Sequence, residues 1–205
     1  MKKHRTFFMI VAFLTGLAAA AWGQEMTEYE GRKLTPLAKQ RTTFVESVPG
    51  IDLETYRLRI VGRVGRPLEL RYDEVLAFPL ESRVIDFHCV EGWGYQALWT
   101  GPKVADIIAE ARPEANVKTV VFYAAGGTYS SALPLDYVKS KGIILASRIN
   151  NVPLSPGRGF PFMVAAESKY GYKWVQWVER IELSEKDYFG YWEKRGYSNR
   201  ADIRE

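Results

Sequence analysis

Apolar and polar residues alternate along "YRLRIVG", putting Tyr56, Leu58 and Ile60 on one face and Arg57 and Arg59 on the other. That period of two predicts a half-buried strand. "GRPLELRY" follows across a glycine turn and completes a hairpin signal. "YDEVLAFP" predicts a short helix closed by Pro79, and "RVIDFHCV" a strand. "GPKVADIIAEARP" is the clearest helix: Pro102 stands near its start, Val104, Ile107 and Ile108 share a face, and Pro113 lies past its end. "VKTVVFYAA" is a continuous apolar run that reads as a buried strand ending at Gly126-Gly127. "LPLDYVKSKG" predicts a short helix and "IILASRIN" a strand. "FMVAAE" and "WVQWVERIELSE" read as strands around the turn "SKYGYK". Many strands with short intervening helices define an α+β domain.

The segments outside this pattern carry information of their own. Residues 1–23 join a basic start (Lys2, Lys3, Arg5) to an uncharged apolar run, and Ala21-Trp22-Gly23 sets small residues at a cleavage position. This reads as a secretory signal peptide and places the mature chain in the periplasm or otherwise outside the cytosol. An uncleaved anchor is the alternative, but the apolar run falls short of the ~20 residues a span needs. Lys2-Lys3 stands in place of a twin arginine and points to the general secretory route. The polar, poorly periodic stretch that follows reads as an arm over the surface (24–44), with a short helix expected at 36–42. The domain itself is placed at 45–205, with no linker, repeat or second domain. The aromatic tail "KDYFGYWEKRGYSNRADIRE" is expected to wrap the body.

Composition narrows the chemistry. The formal net charge is +4, but the leader contributes Lys2, Lys3 and Arg5 and no acid, so the mature chain is close to neutral. It has no basic footprint for nucleic acid. The chain has one cysteine, Cys89, and two histidines. His4 lies in the leader, which leaves His88 alone. No internal disulfide can form, a structural zinc site lacks ligands, and no CxxCH motif is present for haem. A Cys89–His88 catalytic pair is disfavoured because neighbours on a strand point to opposite faces. Two readings of Cys89 stay open on spacing alone: an inert buried thiol, or a soft ligand for a metal whose cofactor brings its remaining ligands.

"CVEGWGYQALWTG" resembles the cysteine motif of the sulfite-oxidase-type molybdopterin oxidoreductases, a group that includes the catalytic subunit of a periplasmic methionine-sulfoxide reductase. Cys89, Val90, Glu91, Trp93, Trp99 and Gly101 fit the pattern. "GGTYSSALPL" and "RGFPFMVAAESKYGYKWVQWVERIEL" resemble further family segments, and "GYWEKRGYS" a family ending. The resemblance covers about residues 45–200. It implies the sulfite oxidase molybdopterin-binding fold, a molybdenum–molybdopterin cofactor held through Cys89, oxygen-atom transfer on a small sulfur-containing or oxyanion substrate, and a separate redox partner protein. It also implies cofactor contacts from His88, Arg158, Tyr170, Gly171, Tyr172 and Lys173. The amides of Tyr170 to Lys173 and the Lys173 charge would meet the phosphate, with Gly171 permitting close approach. Two positions depart from the pattern: Met163 stands for the usual arginine and Gln176 for a second lysine. No arginine-rich pocket for sulfite is evident; Arg83 and Arg148 are the candidates. Those departures support a second reading, a binding module that keeps the fold without the cofactor.

Overall fold

The computed structural model describes residues 23–203. The expected signal peptide lies outside the described residues apart from Gly23. Among the described residues no helix is long and apolar enough to cross a membrane.

The expected arm opens with a two-stranded ribbon, β1 (Glu28–Tyr29) and β2 (Arg32–Lys33). One 3-10 turn at Leu37–Lys39 replaces the expected short helix. The body then runs β3 (Leu58–Gly62), β4 (Leu68–Leu70), α1 (Tyr72–Leu76), β5 (Leu80–His88), β6 (Gly94–Pro102), α2 (Val104–Glu110), β7 (Thr119–Ala124), β8 (Ser130–Pro134) and α3 (Leu135–Ser140). It finishes with β9 (Ile144–Ala146), β10 (Arg148–Ile149), β11 (Val152–Pro153), β12 (Met163–Ala165) and β13 (Val178–Ser184).

Two main sheets organise these strands. The first has the order β4-β3-β13-β7-β8, and the second β11-β10-β6-β5; β12 and β9 form a separate pair. In the first, β13 runs parallel to β3 and antiparallel to β7. The sequence periods explain the positions. Leu58 and Ile60 of β3 are fully buried while Arg59 is exposed, the one-sided burial that alternation demands. In β7 the run Thr119–Phe122 is buried throughout, because β7 lies inside the sheet with both faces covered. On α2 the expected face of Val104, Ile107 and Ile108 faces the core. "IILASRIN" divides at Ser147: β9 pairs with β12, then β10 crosses to β6.

The second sheet is built on a long hairpin. β5 and β6 pair without interruption from Leu80↔Pro102 to His88↔Gly94. The cysteine motif is the tip of this hairpin and its returning strand. β6 escapes a period-two reading because it holds Gly94 and Gly101, residues that strands usually exclude. Both are glycines for lack of room. A Cβ on Gly94 would sit 2.5 Å from the Phe87 carbonyl oxygen, and one on Gly101 would sit 2.0 Å from that of Leu145.

An aromatic cluster joins the hairpin to the turn after β12. Phe87 stacks on Tyr95 at 4.9 Å between ring centroids and meets the edge of Trp174 at 5.1 Å. Trp99 contacts Trp174 at the same separation. A fully buried aromatic ring contributes roughly 2–3 kcal/mol by area, so this cluster fixes the hairpin tip against residues 170–174.

Candidate cofactor site

The hairpin tip is a tight five-residue loop, and its backbone is self-contained. The Cys89 N–H donates to the Trp93 carbonyl at 2.8 Å, and the Gly92 N–H donates to the Cys89 carbonyl at 3.2 Å. Gly92 has φ 83°, the left-handed conformation that favours glycine. The Cys89 side chain is therefore left to the surroundings. Its sulfur lies 3.9 Å from a Glu91 carboxylate oxygen, which accepts the Trp93 indole N–H at 2.8 Å. Burial, with the Glu91 carboxylate adding to it, raises the Cys89 thiol above its ordinary range.

Cys89 is on the wall of a cavity of about 320 Å³. Glu91, Tyr129, Trp177, Trp192 and Tyr197 share that wall, and the chain at 41–46 closes one side. The arm and the tail, both expected to lie over the surface, are parts of this site. Burial pushes the Tyr172 phenol up to about 12, with Glu193 adding to the shift, so this ring is a neutral group at physiological pH.

The residues assigned by resemblance divide into two groups. Cys89, Gly171 and Tyr172 are on the cavity wall, as are both departures, Met163 and Gln176. His88, Tyr170, Arg158 and Lys173 are not. His88 ends β5 and bridges Tyr170 through the backbone, which links the cysteine loop to the "YGYK" turn. The Tyr170 amide donates to the Ala201 carbonyl and the Lys173 amide to that of Tyr170, so these two amides are already engaged. Gly171 does permit a close approach, but of a side chain: a Cβ there would lie 2.5 Å from the tip of the Phe87 ring.

The two basic side chains expected at the cofactor have protein partners in this structure. The Lys173 ammonium is enclosed, donating to Glu193 at 2.5 Å, the Ala132 carbonyl at 3.0 Å and Asn199 at 3.1 Å. An ammonium has three N–H donors, and each has an acceptor. Burial pulls its pKa down while Glu193 opposes the shift. Arg158 instead ties down the arm, donating to the Leu37 carbonyl at 2.5 Å and to the Gln40 side-chain oxygen at 3.1 Å. Arg158→Ala should therefore free the arm. We expect faster amide exchange or proteolysis across 37–46, consistent with losing charge-assisted bonds of roughly 1.5–3 kcal/mol each in their gross effect. An unchanged rate would show that the arm is held by other contacts.

Neither candidate for a sulfite-binding arginine reaches the cavity. Arg83 is engaged by Glu81, Glu167 and the carbonyls of Lys141 and Gly142. The Arg148 guanidinium donates to the Asn151 carbonyl. Arg41 is the one basic side chain among the described residues that line the cavity, and two acids, Glu46 and Glu91, line it as well.

The donor set defines which group the site suits. Among the described residues no cluster of His, Cys, Asp and Glu could hold a metal ion unaided. One soft thiol on the wall of an aromatic-lined cavity fits a metal whose organic cofactor supplies its other ligands. The residues fit molybdenum–molybdopterin at its metal end, through Cys89.

Fold and site together define a mixed α+β domain with one thiol on the wall of an aromatic-lined cavity. The oxidoreductase molybdopterin binding domain family matches residues 45–192, and the chain belongs to that family. It is 32% identical over 152 residues to the uncharacterized oxidoreductase YuiH of Bacillus subtilis, covering 74% of this chain and 76% of that protein. It is 26% identical to the protein-methionine-sulfoxide reductase catalytic subunit MsrP of Campylobacter jejuni, across 73% of this chain and 56% of the relative. For the mitochondrial sulfite oxidase of Macaca fascicularis the identity is 27%, over 73% of this chain and 33% of the oxidase. The chain thus spans about half of the reductase subunit and a third of the oxidase. The sulfane dehydrogenase SoxCD of Paracoccus pantotrophus shares the fold, with a TM-score of 0.65 at 18% identity, over 89% of this chain and 56% of that one. The sulfite-oxidase-type resemblance and the α+β fold class are borne out. The chain is a molybdopterin-family oxidoreductase, and molybdenum–molybdopterin is its cofactor.

The stretch 41–46 and the tail aromatics Trp192 and Tyr197 are among the wall residues that sequence patterns leave unassigned. The density of aromatic side chains in the tail was the available signal.

Proposed function

We propose that this chain is an exported oxidoreductase in which Cys89 is the one protein ligand to molybdenum. The reading is carried by the position of the chain's only thiol, at a hydrogen-bonded hairpin tip and on the cavity wall. When bound, the cofactor supplies an oxygen-transfer centre that exchanges two electrons. For an oxo-substrate the balance is XO + 2H⁺ + 2e⁻ → X + H₂O, and a separate redox protein provides the electrons. MsrP is a protein-methionine-sulfoxide reductase catalytic subunit, and a small sulfur-containing or oxyanion substrate is proposed for this chain on that kinship.

The chain's own contribution is placement and exclusion of water. The loop hydrogen bonds hold the Cys89 backbone, Glu91 steadies Trp93, and the wall of Tyr129, Trp177, Trp192 and Tyr197 shields the sulfur. The test is a dye-linked assay on protein purified from its native envelope. Reduced viologen should be oxidised when a small sulfoxide is added, or ferricyanide reduced when sulfite is added. Loaded protein inert to every such oxo-acceptor and donor would sink the oxygen-transfer reading.

A second reading has its own observation. Met163 and Gln176 remove positive charge from the wall, and Arg41 is the one basic side chain left there among the described residues. A charged hydrogen bond contributes about 1.5–3 kcal/mol, so a binding module that keeps the fold with little or no cofactor follows if no other group compensates. Natively purified protein that lacks molybdenum and releases no fluorescent pterin on denaturation would favour this module.

A further inference from the structure

The lysine of the "YGYK" turn does not face the pocket, and what it contacts is the C-terminal tail. Two of the three acceptors around the Lys173 ammonium, Glu193 and Asn199, belong to that tail. Both ends of the ion pair are almost fully buried, with side-chain exposures of 0% and 1%. Glu193 also accepts the Ser131 hydroxyl of β8. The same tail is fastened along the turn at further points. The Tyr172 hydroxyl donates to the Ser198 carbonyl at 2.8 Å, the Tyr170 amide to the Ala201 carbonyl at 2.9 Å, and Lys169 pairs with Asp202. Beside these fastenings the tail presents Trp192 and Tyr197 to the cavity that holds Cys89.

We propose that Lys173 is a positioning residue that clasps the C-terminal tail, rather than a contact of the cofactor's phosphate, and that the tail so held forms a wall of the Cys89 pocket. The physical ground is the count of donors and acceptors. An ammonium with three acceptors has no N–H left for a phosphate. Drawing it into the cavity would strand the Glu193 carboxylate in a buried site, where one of its oxygens already lacks a partner. Breaking a buried pair from one side is costly, whereas removing both charges together can be nearly neutral. That asymmetry separates a clasp from a phosphate ligand.

The inference rests on the reading of this pocket as the cofactor site, and its test keeps the two apart. The full chain would be prepared as wild type, Lys173→Met, and the double variant Lys173→Met/Glu193→Gln, whose glutamine can still accept the Ser131 hydroxyl. Each is measured for thermal midpoint, for the rate at which iodoacetamide alkylates Cys89 in cofactor-free protein, and for molybdenum retained after native purification. Lys173→Met should lower Tm by about 10 °C, as expected for an uncompensated buried carboxylate. It should also speed alkylation roughly fivefold as the tail loosens locally. The double variant should recover most of both and retain molybdenum like the wild type. A double variant that recovers Tm and alkylation rate but loses molybdenum would overturn the proposal and assign Lys173 to the cofactor. So would a Lys173→Met protein with unchanged Tm and alkylation, or a double variant that fails to fold. Trp192→Ala/Tyr197→Ala tests the wall without touching the clasp: alkylation should accelerate, and an unchanged rate would refute the tail's part in the pocket. If no preparation carries molybdenum, the cofactor reading fails, while the thermal and alkylation results still decide the clasp.

Discussion

Gly101→Ala is expected to destabilise the protein by about 3 kcal/mol and lower its Tm by roughly 10 °C. Gly101 belongs to the cysteine motif, yet its reason lies in the packing of β6 against β9. The added Cβ would sit 2.0 Å from the Leu145 carbonyl oxygen and 2.8 Å from the Ala146 Cα. These are backbone atoms of a fully buried strand paired with β12, so no side chain can swing aside. A glycine-to-alanine change at a site that tolerates it stabilises by about 0.4–1 kcal/mol, because the unfolded chain loses freedom. The two cases differ in sign. Urea unfolding of the variant decides between them, and a stability equal to or above wild type would refute the close approach of the two strands.

Cys89→Ser is expected to show the opposite pattern: unchanged stability and loss of the metal. The Cys89 backbone bonds do not involve sulfur, and the thiol is only partly buried, with no protein contact stronger than the 3.9 Å approach to Glu91. Cys89 packs only against the edge of the core, and exchanging sulfur for oxygen there should change stability by no more than about 1 kcal/mol. Serine offers a harder oxygen in place of a soft thiolate, so molybdenum per chain should drop about tenfold or more. Circular dichroism and thermal melts check the first half, and elemental analysis the second. A variant that melts far below wild type would mean that Cys89 serves the fold.

Where side-chain periods are unambiguous, the fold is legible in the sequence. β3 shows alternation, β7 a continuous apolar run and α2 a single apolar face, and each lies where its pattern predicts. β6 is not legible, because Gly94 and Gly101 answer to the backbones of neighbouring strands that no local window contains. The site divides along the same line. Cys89 and its loop are local in sequence and legible there as one motif. The family resemblance implies cofactor contacts for Lys173 and Arg158, but their partners in the structure, Glu193 in the tail and Leu37 and Gln40 in the arm, lie 20 and about 120 residues away. Which way a basic side chain turns depends on such distant acceptors. Gly171 shows the same effect, being required by the Phe87 ring of β5.

The acidic end of the tail gives a pH-dependent expectation. Lys169, chiefly through its hydrogen bond, holds the Asp202 carboxyl below its ordinary value of 3.8, and Arg200 adds to the shift. A depressed carboxyl stabilises the folded state above its unfolded pKa, and that contribution disappears as the pH falls through the folded value. Asp202→Asn should therefore leave stability near pH 3 close to wild type and reduce it slightly at pH 7. The effect is small because the Asp202 side chain is 45% exposed. Parallel melts at the two pH values measure it, and an equal loss at both would argue against the ion pair.

The central claim is that Cys89 is the protein's own ligand to molybdenum. The most direct measurement is molybdenum per folded chain for wild type and Cys89→Ser, purified side by side from the native envelope. The proposed ligation predicts close to one metal in the wild type and nearly none in the variant, with the same fold in both. Equal molybdenum in the two proteins, or none in the wild type, would contradict it.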